Sequence, residues 1–80
     1  MANYEYYAVA REIEKKLNEE GFNNWSQKLE DAIISGATGT EIFMALRWNL
    51  NQIKREAKTI SKETLSLIDD LFIHINAALK

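Results

Sequence analysis

The longest stretch with a single clean helical pattern is residues 38–58, TGTEIFMALRWNLNQIKREAK. Its apolar residues recur at spacings of three and four, which places them on one face of an α-helix. They are Ile42, Phe43, Leu46, Leu50, Ile53 and Ala57. The opening Thr38-Gly39-Thr40-Glu41 has the spacing of a capping box, with Thr38 as the cap and Thr40 as its competitor. The segment therefore predicts a helix that begins after Thr38, ends near Lys58 and buries Leu46 and Leu50.

Two shorter amphipathic segments precede this helix, and glycines mark their ends. The first spans about 3–20, and Gly21 follows it as a C′ residue. The second has Asn24 as its expected N-cap, Gln27 three residues later, and Gly36 at its end. The apolar stripes are Tyr6, Val9, Ala10, Ile13 and Leu17 in the first, and Phe22, Trp25, Leu29, Ala32 and Ile33 in the second. Both stripes predict α-helices.

A fourth helix is predicted after Ser61, an N-cap serine between the hydrophobes Ile60 and Leu65. Its apolar residues cover nearly half of the circumference, more than one neighbouring helix could bury. They are Leu65, Leu67, Ile68, Leu71, Phe72, Ile75 and Leu79. This helix is therefore expected either to lie centrally or to carry an additional interface. Short connections favour antiparallel neighbours, so the sequence predicts an all-α, small four-helix bundle, with residues 1–80 as a single helical domain.

Composition narrows the classes of function. The 80 residues are 46% hydrophobic and 28% charged, which is typical of one globular domain with one core. A net charge of −2 gives no overall attraction to nucleic acid or to an anionic membrane. The sequence contains no cysteine and no apolar run near the roughly 18 residues of a membrane span. We expect a cytoplasmic protein without an export signal or a membrane partner.

Residues suited to catalysis are scarce. The sequence has no cysteine, no glycine-rich phosphate loop and one histidine, His74. Asp70 lies one turn before His74, which is interpreted as a surface ion pair. The adjacent acidic pairs Glu19-Glu20, Glu30-Asp31 and Asp69-Asp70 diverge by about 100° on a helix and are interpreted as solvated faces. We therefore expect no enzyme activity, no metal site and no cofactor.

Large side chains outside the apolar stripes are the candidate functional residues. One group lies opposite Leu46 on the third helix and consists of Met44, Trp48, Asn51 and Arg55. Trp, Arg and Met are enriched where proteins bind one another. A second group, Tyr4, Tyr7 and Arg11, projects away from the stripe of the first helix. These groups predict an interface with another protein or with a second copy. The alternatives are that N-terminal residues or the second helix cover Trp48, and that the tyrosines fold back onto their own domain.

A helix-turn-helix DNA-binding regulator is the competing hypothesis. The segment 32–42 is similar to that motif, with Ala32, Gly36 and Ile42 at its packing positions. The base-reading positions would hold Thr40, Phe43, Met44 and Arg47, of which only Thr40 and Arg47 suit hydrogen-bonded readout. A basic stripe of Arg47, Lys54 and Lys58, with Arg55 nearby, could contact phosphates, but the acidic first half offsets it. Nucleic acid is therefore the less favoured partner.

The middle third of the chain also resembles small uncharacterised bacterial all-α proteins. The residues that carry the resemblance are Trp25-x-x-x-Leu29-Glu30-x-Ala32, Gly36-Ala37-Thr38-Gly39-Thr40-Glu41-Ile42 and Leu46-Arg47-Trp48-x-Leu50. The resemblance implies a helical core and a bacterial origin, and it implies no activity, substrate or partner. The functional hypothesis from the sequence is therefore a non-enzymatic helical module for protein–protein interaction.

Overall fold

A computed structural model describes residues 3–80, which form four α-helices. They are α1 (Tyr6–Glu19), α2 (Asn23–Ser35), α3 (Gly39–Glu56) and α4 (Lys62–Ala78). No strand occurs in these residues, so the prediction of an all-α, four-helix fold is confirmed. Within the same range, no helix combines the length and the apolar character that crossing a membrane requires.

The helices form a ring in chain order. α1 packs against α2 and α4, α3 packs against the same two helices, and the backbones of the diagonal pairs stay apart. Side chains nevertheless bridge the diagonal from α1 to α3, where the ring centres of Tyr6 and Phe43 lie 4.7 Å apart. α4 thus has two neighbours, as every other helix has, and the expectation that it lies centrally is wrong. The other predicted explanation for the wide apolar arc of α4 was an additional interface. Ile73 on this helix remains 64% exposed.

The core lies inside this ring and contains residues from all four helices. Its fully buried large side chains are Ile13, Leu17, Leu29, Leu46, Leu50, Ile53, Ile68, Leu71 and Ile75. The predicted burial of Leu46 and Leu50 is confirmed. One polar side chain, Thr64 of α4, is also fully buried. Its hydroxyl donates a hydrogen bond to the Glu20 carboxylate, so its burial does not leave it unpaired.

The start of α3 is capped as predicted. Thr38 has an extended backbone, and its hydroxyl oxygen accepts a hydrogen bond from the Glu41 amide at 3.1 Å. The Glu41 carboxylate accepts from the Thr38 hydroxyl at 3.4 Å, whereas a capping box would have it accept from the Thr38 amide. Ser61 caps α4 in the same way and accepts from the Thr64 amide at 3.2 Å. Local side-chain chemistry therefore sets where both helices begin.

The prediction for the N-cap of α2 is wrong, because Asn24 lies inside the helix and Phe22 precedes it without a side-chain cap. The cause is the tight turn that ends α1, in which Gly21 adopts a left-handed φ of 89°. The Gly21 amide donates to the Asn18 carbonyl at 3.1 Å, and the Phe22 amide donates to the Leu17 carbonyl at 2.7 Å. This is a Schellman motif. It reverses the chain so quickly that α2 begins one residue before Asn24.

Glu20, just beyond α1, joins the C-terminal end of that helix to the start of α4. Its carboxylate accepts from the Ser61 amide at 2.7 Å, from the Ser61 hydroxyl at 2.9 Å and from the Thr64 hydroxyl. These hydrogen bonds, that of Thr64 foremost, lower the pKa of Glu20 because they favour the charged form. The interpretation of the acidic pair Glu19-Glu20 as solvated is therefore wrong for Glu20.

Replacing Thr38 with alanine is expected to lower the free energy of unfolding by about 0.5 to 2 kcal/mol. The hydroxyl acceptor of the Glu41 amide is lost, and alanine offers no substitute. Urea unfolding followed by circular dichroism measures the change. The Thr40→Ala variant is the control, because Thr40 lies within the helix and caps nothing in this structure. Equal losses in both variants would contradict the assignment of Thr38 as the cap.

Candidate functional site

The four candidate residues on α3 form one exposed strip. Met44, Trp48, Asn51 and Arg55 are all exposed, with 50% of Met44 and 61% of Trp48 open to solvent. Their spacing of four, three and four residues places them on the side of the helix opposite Leu46. Neither the N-terminal residues nor α2 covers Trp48 to any large extent. The structure thus presents a tryptophan and a methionine together on the surface.

This strip borders a shallow groove between α3 and α4, which we call the α3/α4 groove. Met44, Arg47, Trp48, Asn51 and Phe72 line it. The half-buried ring of Phe72 supplies an apolar wall from α4. Because Trp48 and Met44 contribute from α3, both walls of the groove are partly apolar. Sequence analysis did not include Phe72 in the candidate site.

Two polar contacts join the helices along the α3/α4 groove. The Arg47 guanidinium donates to the Asn76 side-chain oxygen at 3.3 Å. The Lys54 ammonium lies 2.6 Å from an Asp69 carboxylate oxygen, so Asp69 is not simply solvated as the sequence analysis had it. The same ammonium lies 5.1 Å from the centre of the Phe72 ring, within the range of a cation–π contact. These contacts hold the groove residues in place without filling the space above them.

The second predicted group, Tyr4, Tyr7 and Arg11, does not form one surface. Each of these side chains is directed to a different helix. Arg11 forms an ion pair with Glu30 of α2 at 2.8 Å. Tyr7 is 41% exposed, and its ring centre lies 6.1 Å from that of Phe43 on α3. The structure therefore separates residues that the sequence analysis had grouped.

Tyr4 folds back onto α4, as the alternative interpretation had it. Its hydroxyl donates to an Asp70 carboxylate oxygen at 2.8 Å, and its ring stacks on His74 with 3.7 Å between centres. Burial and the hydrogen bond to Asp70 both raise the pKa of Tyr4, because each disfavours the phenolate. His74 Nδ1 also lies 3.7 Å from an Asp70 carboxylate oxygen, in agreement with the expected ion-pair geometry. These contacts attach the N-terminal segment to the bundle.

A pair of carboxylates between α1 and α2 was not predicted. One oxygen of Glu14 is buried, and Glu30 lies beside it with its own carboxylate bound by Arg11. Burial and the neighbouring Glu30 raise the pKa of Glu14 to about 7, against a smaller opposing effect of Arg11. The only sequence signal was the position of Glu14 next to the buried Ile13 on the helix. Charge type alone does not reveal which neighbour a glutamate will meet.

Glu14 makes the stability of the bundle dependent on pH. Its pKa in the folded chain, about 7, exceeds its ordinary value of 4.5, so folding favours the protonated form. That stabilisation is complete below about pH 4.5 and is lost as the pH rises through about 7. The Glu14→Gln variant stays neutral, so we expect it to be more stable than the parent at about pH 8. The expected difference is about 1 kcal/mol after allowance for solvent screening.

Urea unfolding of both proteins at about pH 5 and about pH 8 measures this effect. Comparison with the parent cancels the contributions of titrating groups that do not interact with Glu14. Glu12→Gln, an exposed neighbour on α1, is the matched control and should unfold like the parent at both pH values. Parallel pH dependence in the parent and in Glu14→Gln would contradict the role of Glu14.

The described part of the chain contains no cluster of three His, Asp or Glu side chains that could hold a metal ion. The exposed apolar strip and the α3/α4 groove together form the candidate site. No protein-family model matches the chain, and no curated protein or solved structure is significantly similar to it. The functional argument consequently depends on the geometry of this surface.

Proposed function

We propose that the chain is a non-enzymatic helical module that binds another protein, or a second copy of itself, through the outer strip of α3. The observation that carries this proposal is the exposure of Trp48 and Met44, at 61% and 50%, along one groove. Tryptophan is among the residues that contribute most to binding when a partner buries it. We place the module in the bacterial cytoplasm, which the sequence resemblance and the cysteine-free composition favour.

The polar contacts of the groove also support protein binding over DNA binding. Arg47 is half-buried and bonded to Asn76, and Lys54 is paired with Asp69. Two of the three cations in the proposed phosphate-binding stripe are thus engaged within the domain. Phe43, at a position that would read bases, packs instead against Tyr6, with ring centres 4.7 Å apart. A DNA duplex would meet few free donors on this surface.

A DNA-binding regulator is the second candidate because of one packing observation. A β-carbon added at Gly36 would come within 2.3 Å of Ile42 Cγ1, so the chain between α2 and α3 packs closely there. A helix-turn-helix motif often has a glycine in the turn between its two helices. The same contact also serves any tight connection between two helices. It supports the DNA-binding hypothesis less strongly than the exposed tryptophan supports protein binding.

The direct test is Trp48→Ala. Because most of Trp48 is exposed, we expect its removal to change the unfolding free energy by no more than about 0.5 kcal/mol. Self-association or capture of a cellular partner should weaken by about 2 kcal/mol or more. Thermal melts combined with sedimentation and quantitative pull-down measure both quantities on one variant.

Ile34→Ala is the matched control, since Ile34 is 65% exposed but belongs to α2. It should leave both stability and association unchanged. If Trp48→Ala retained the assembly state and partner recovery of the parent, the proposed binding surface would be wrong. Binding of mixed-sequence duplex DNA that Arg47→Ala weakens would instead favour the DNA-binding candidate.

A further inference from the structure

We propose that the partner is an acidic amphipathic helix that lies along the α3/α4 groove. Its apolar side chains pack over Trp48, Met44 and Phe72. Its carboxylates face the cations on the groove side of α3. This inference rests on the proposed protein-binding function and adds the chemistry of the partner.

The shape of the strip fits a helix. Met44, Trp48, Asn51 and Arg55 follow the axis of α3 over eleven residues, or about 16 Å, which is three turns of an α-helix. A partner helix in such a groove places anchors at positions i, i+3 or i+4, and i+7. A peptide that binds by adding a β-strand would need an open sheet edge, and residues 3–80 contain no strand to supply one.

The apolar surface extends across the groove onto α4. Ile73, 64% exposed, lies four residues after Asp69 and three before Asn76, both of which bond to α3. Residues at these spacings share one side of a helix, so Ile73 flanks the groove. Ile73, Met44 and Trp48 are thus three large, exposed apolar side chains at the α3/α4 groove. The methionine adds a side chain that adapts its shape to different apolar anchors.

The charge on this surface is positive, although the whole chain has a net charge of −2. Arg47, Lys54 and Arg55 follow the groove side of α3, and Lys58 lies two residues beyond the end of this helix. Glu56 lies about 100° around the helix from Arg55, which directs it away from the groove. On α4, Asp69 is already paired with Lys54. Among the described residues, the ion pairs do not include Arg47, Arg55 or Lys58. Arg47 donates to the neutral side chain of Asn76, which leaves its charge uncompensated. Carboxylates on a partner would complement the charges of Arg47 and Arg55.

A second copy fits this surface less well. A symmetric dimer places the same patch against itself, which would bring Arg47 and Arg55 close to the same cations of the other copy. Like charges facing each other oppose association.

Nucleic acid also fits this surface less well, because the middle of the groove presents Trp48 and Met44 and not cations. An acidic amphipathic helix complements both the apolar side chains in the middle of the groove and the cations beside them.

Display selection tests the partner chemistry without presupposing a sequence. A library of random 16-residue peptides is selected on the immobilised full chain. We expect the enriched peptides to have apolar residues at i, i+3 or i+4, and i+7, and a net negative charge. Fluorescence anisotropy of one labelled peptide should show binding weakened at least about 10-fold by Trp48→Ala and about 5-fold by Arg55→Glu. Added salt should also weaken it.

Two variants control for surface changes elsewhere. Ile34→Ala removes an exposed apolar side chain of α2, and Lys15→Glu reverses an exposed charge on α1. Both should bind the labelled peptide as the parent does. Thermal melts of each variant verify that the fold is retained, so a loss of binding reports on the groove.

The outcomes separate this inference from the proposed function. Neutral or basic enriched peptides that lose affinity with Trp48→Ala would overturn the acidic partner and leave protein binding at this surface. Self-association abolished by Trp48→Ala, without peptide enrichment, would make a second copy the occupant and overturn the inference alone. Peptides that bind Trp48→Ala and the parent equally would overturn both. No enrichment together with tight binding of a labelled single-stranded oligonucleotide would also overturn both.

Discussion

Leu46→Ala is expected to lower the free energy of unfolding by about 2 to 5 kcal/mol. Leu46 has no exposed surface and lies in the middle of α3, among the buried side chains of all four helices. Its truncation removes apolar burial and leaves a cavity that the surrounding helices fill only in part. A domain of this size gains about 3 to 5 kcal/mol from its core. The variant should therefore be largely unfolded or melt far below the parent.

Thermal and urea unfolding followed by circular dichroism measure this loss. Met44→Ala is the matched control, because Met44 lies two residues away on the same helix but is 50% exposed. It should change the unfolding free energy by no more than about 0.5 kcal/mol. A Leu46→Ala protein that melted within about a degree or two of the parent would mean that this face of α3 does not support the core.

Gly36→Ala is expected to lower the free energy of unfolding by about 1 to 3 kcal/mol. The added β-carbon would lie 2.3 Å from Ile42 Cγ1 and 3.2 Å from the Ile42 amide nitrogen. Gly36 has φ −73° and ψ 134°, a conformation that alanine adopts without strain. The expected loss therefore comes from steric overlap between the α2–α3 connection and the first turn of α3. Chemical unfolding of the variant measures it.

Gly39→Ala is the control for this substitution, since a β-carbon there meets nothing within 4 Å. Gly39 is the first residue of α3. Alanine there should leave the free energy of unfolding unchanged or raise it by roughly a few tenths of a kcal/mol. A double-mutant cycle with Ile42→Ala locates the overlap, because that change removes Cγ1. Strong coupling supports the steric explanation. Additive effects within about 0.5 kcal/mol would contradict it.

Helix starts were predictable where a side chain contacts the local backbone. Thr38 and Ser61 accept hydrogen bonds from amides three residues later, and this chemistry is visible in the sequence. The start of α2 was not predictable by the same rule. There the turn depends on backbone hydrogen bonds of Gly21 and Phe22 to the end of α1. Asparagine is a residue type that favours the N-cap, but Asn24 lies after the start of α2 at Asn23.

The candidate site was predictable only as far as one helix determines it. Helical spacing from the buried Leu46 placed Trp48 on the outer side of α3, and the structure leaves it exposed. Phe72 was missed as a groove residue because its role depends on which face of α4 meets α3. Tyr4 and Arg11 were grouped because the first helix was predicted to begin near residue 3, whereas α1 begins at Tyr6. The partners of these two residues, Asp70 and Glu30, lie on different helices, which a periodic pattern does not reveal.

The hydrogen bonds of Glu20 also bear on the kinetics of folding. α1 and α4 are the non-consecutive helices of the described range whose backbones pack closely together. Glu20 bonds to Ser61 and Thr64 across 41 and 44 positions of the chain, so these bonds require the ring to be closed. Contacts between consecutive helices form first because they lose less loop entropy. Interactions made after the rate-limiting step act mainly on unfolding. We therefore expect loss of the Glu20 hydrogen bonds to raise the rate of unfolding more than it lowers the rate of folding.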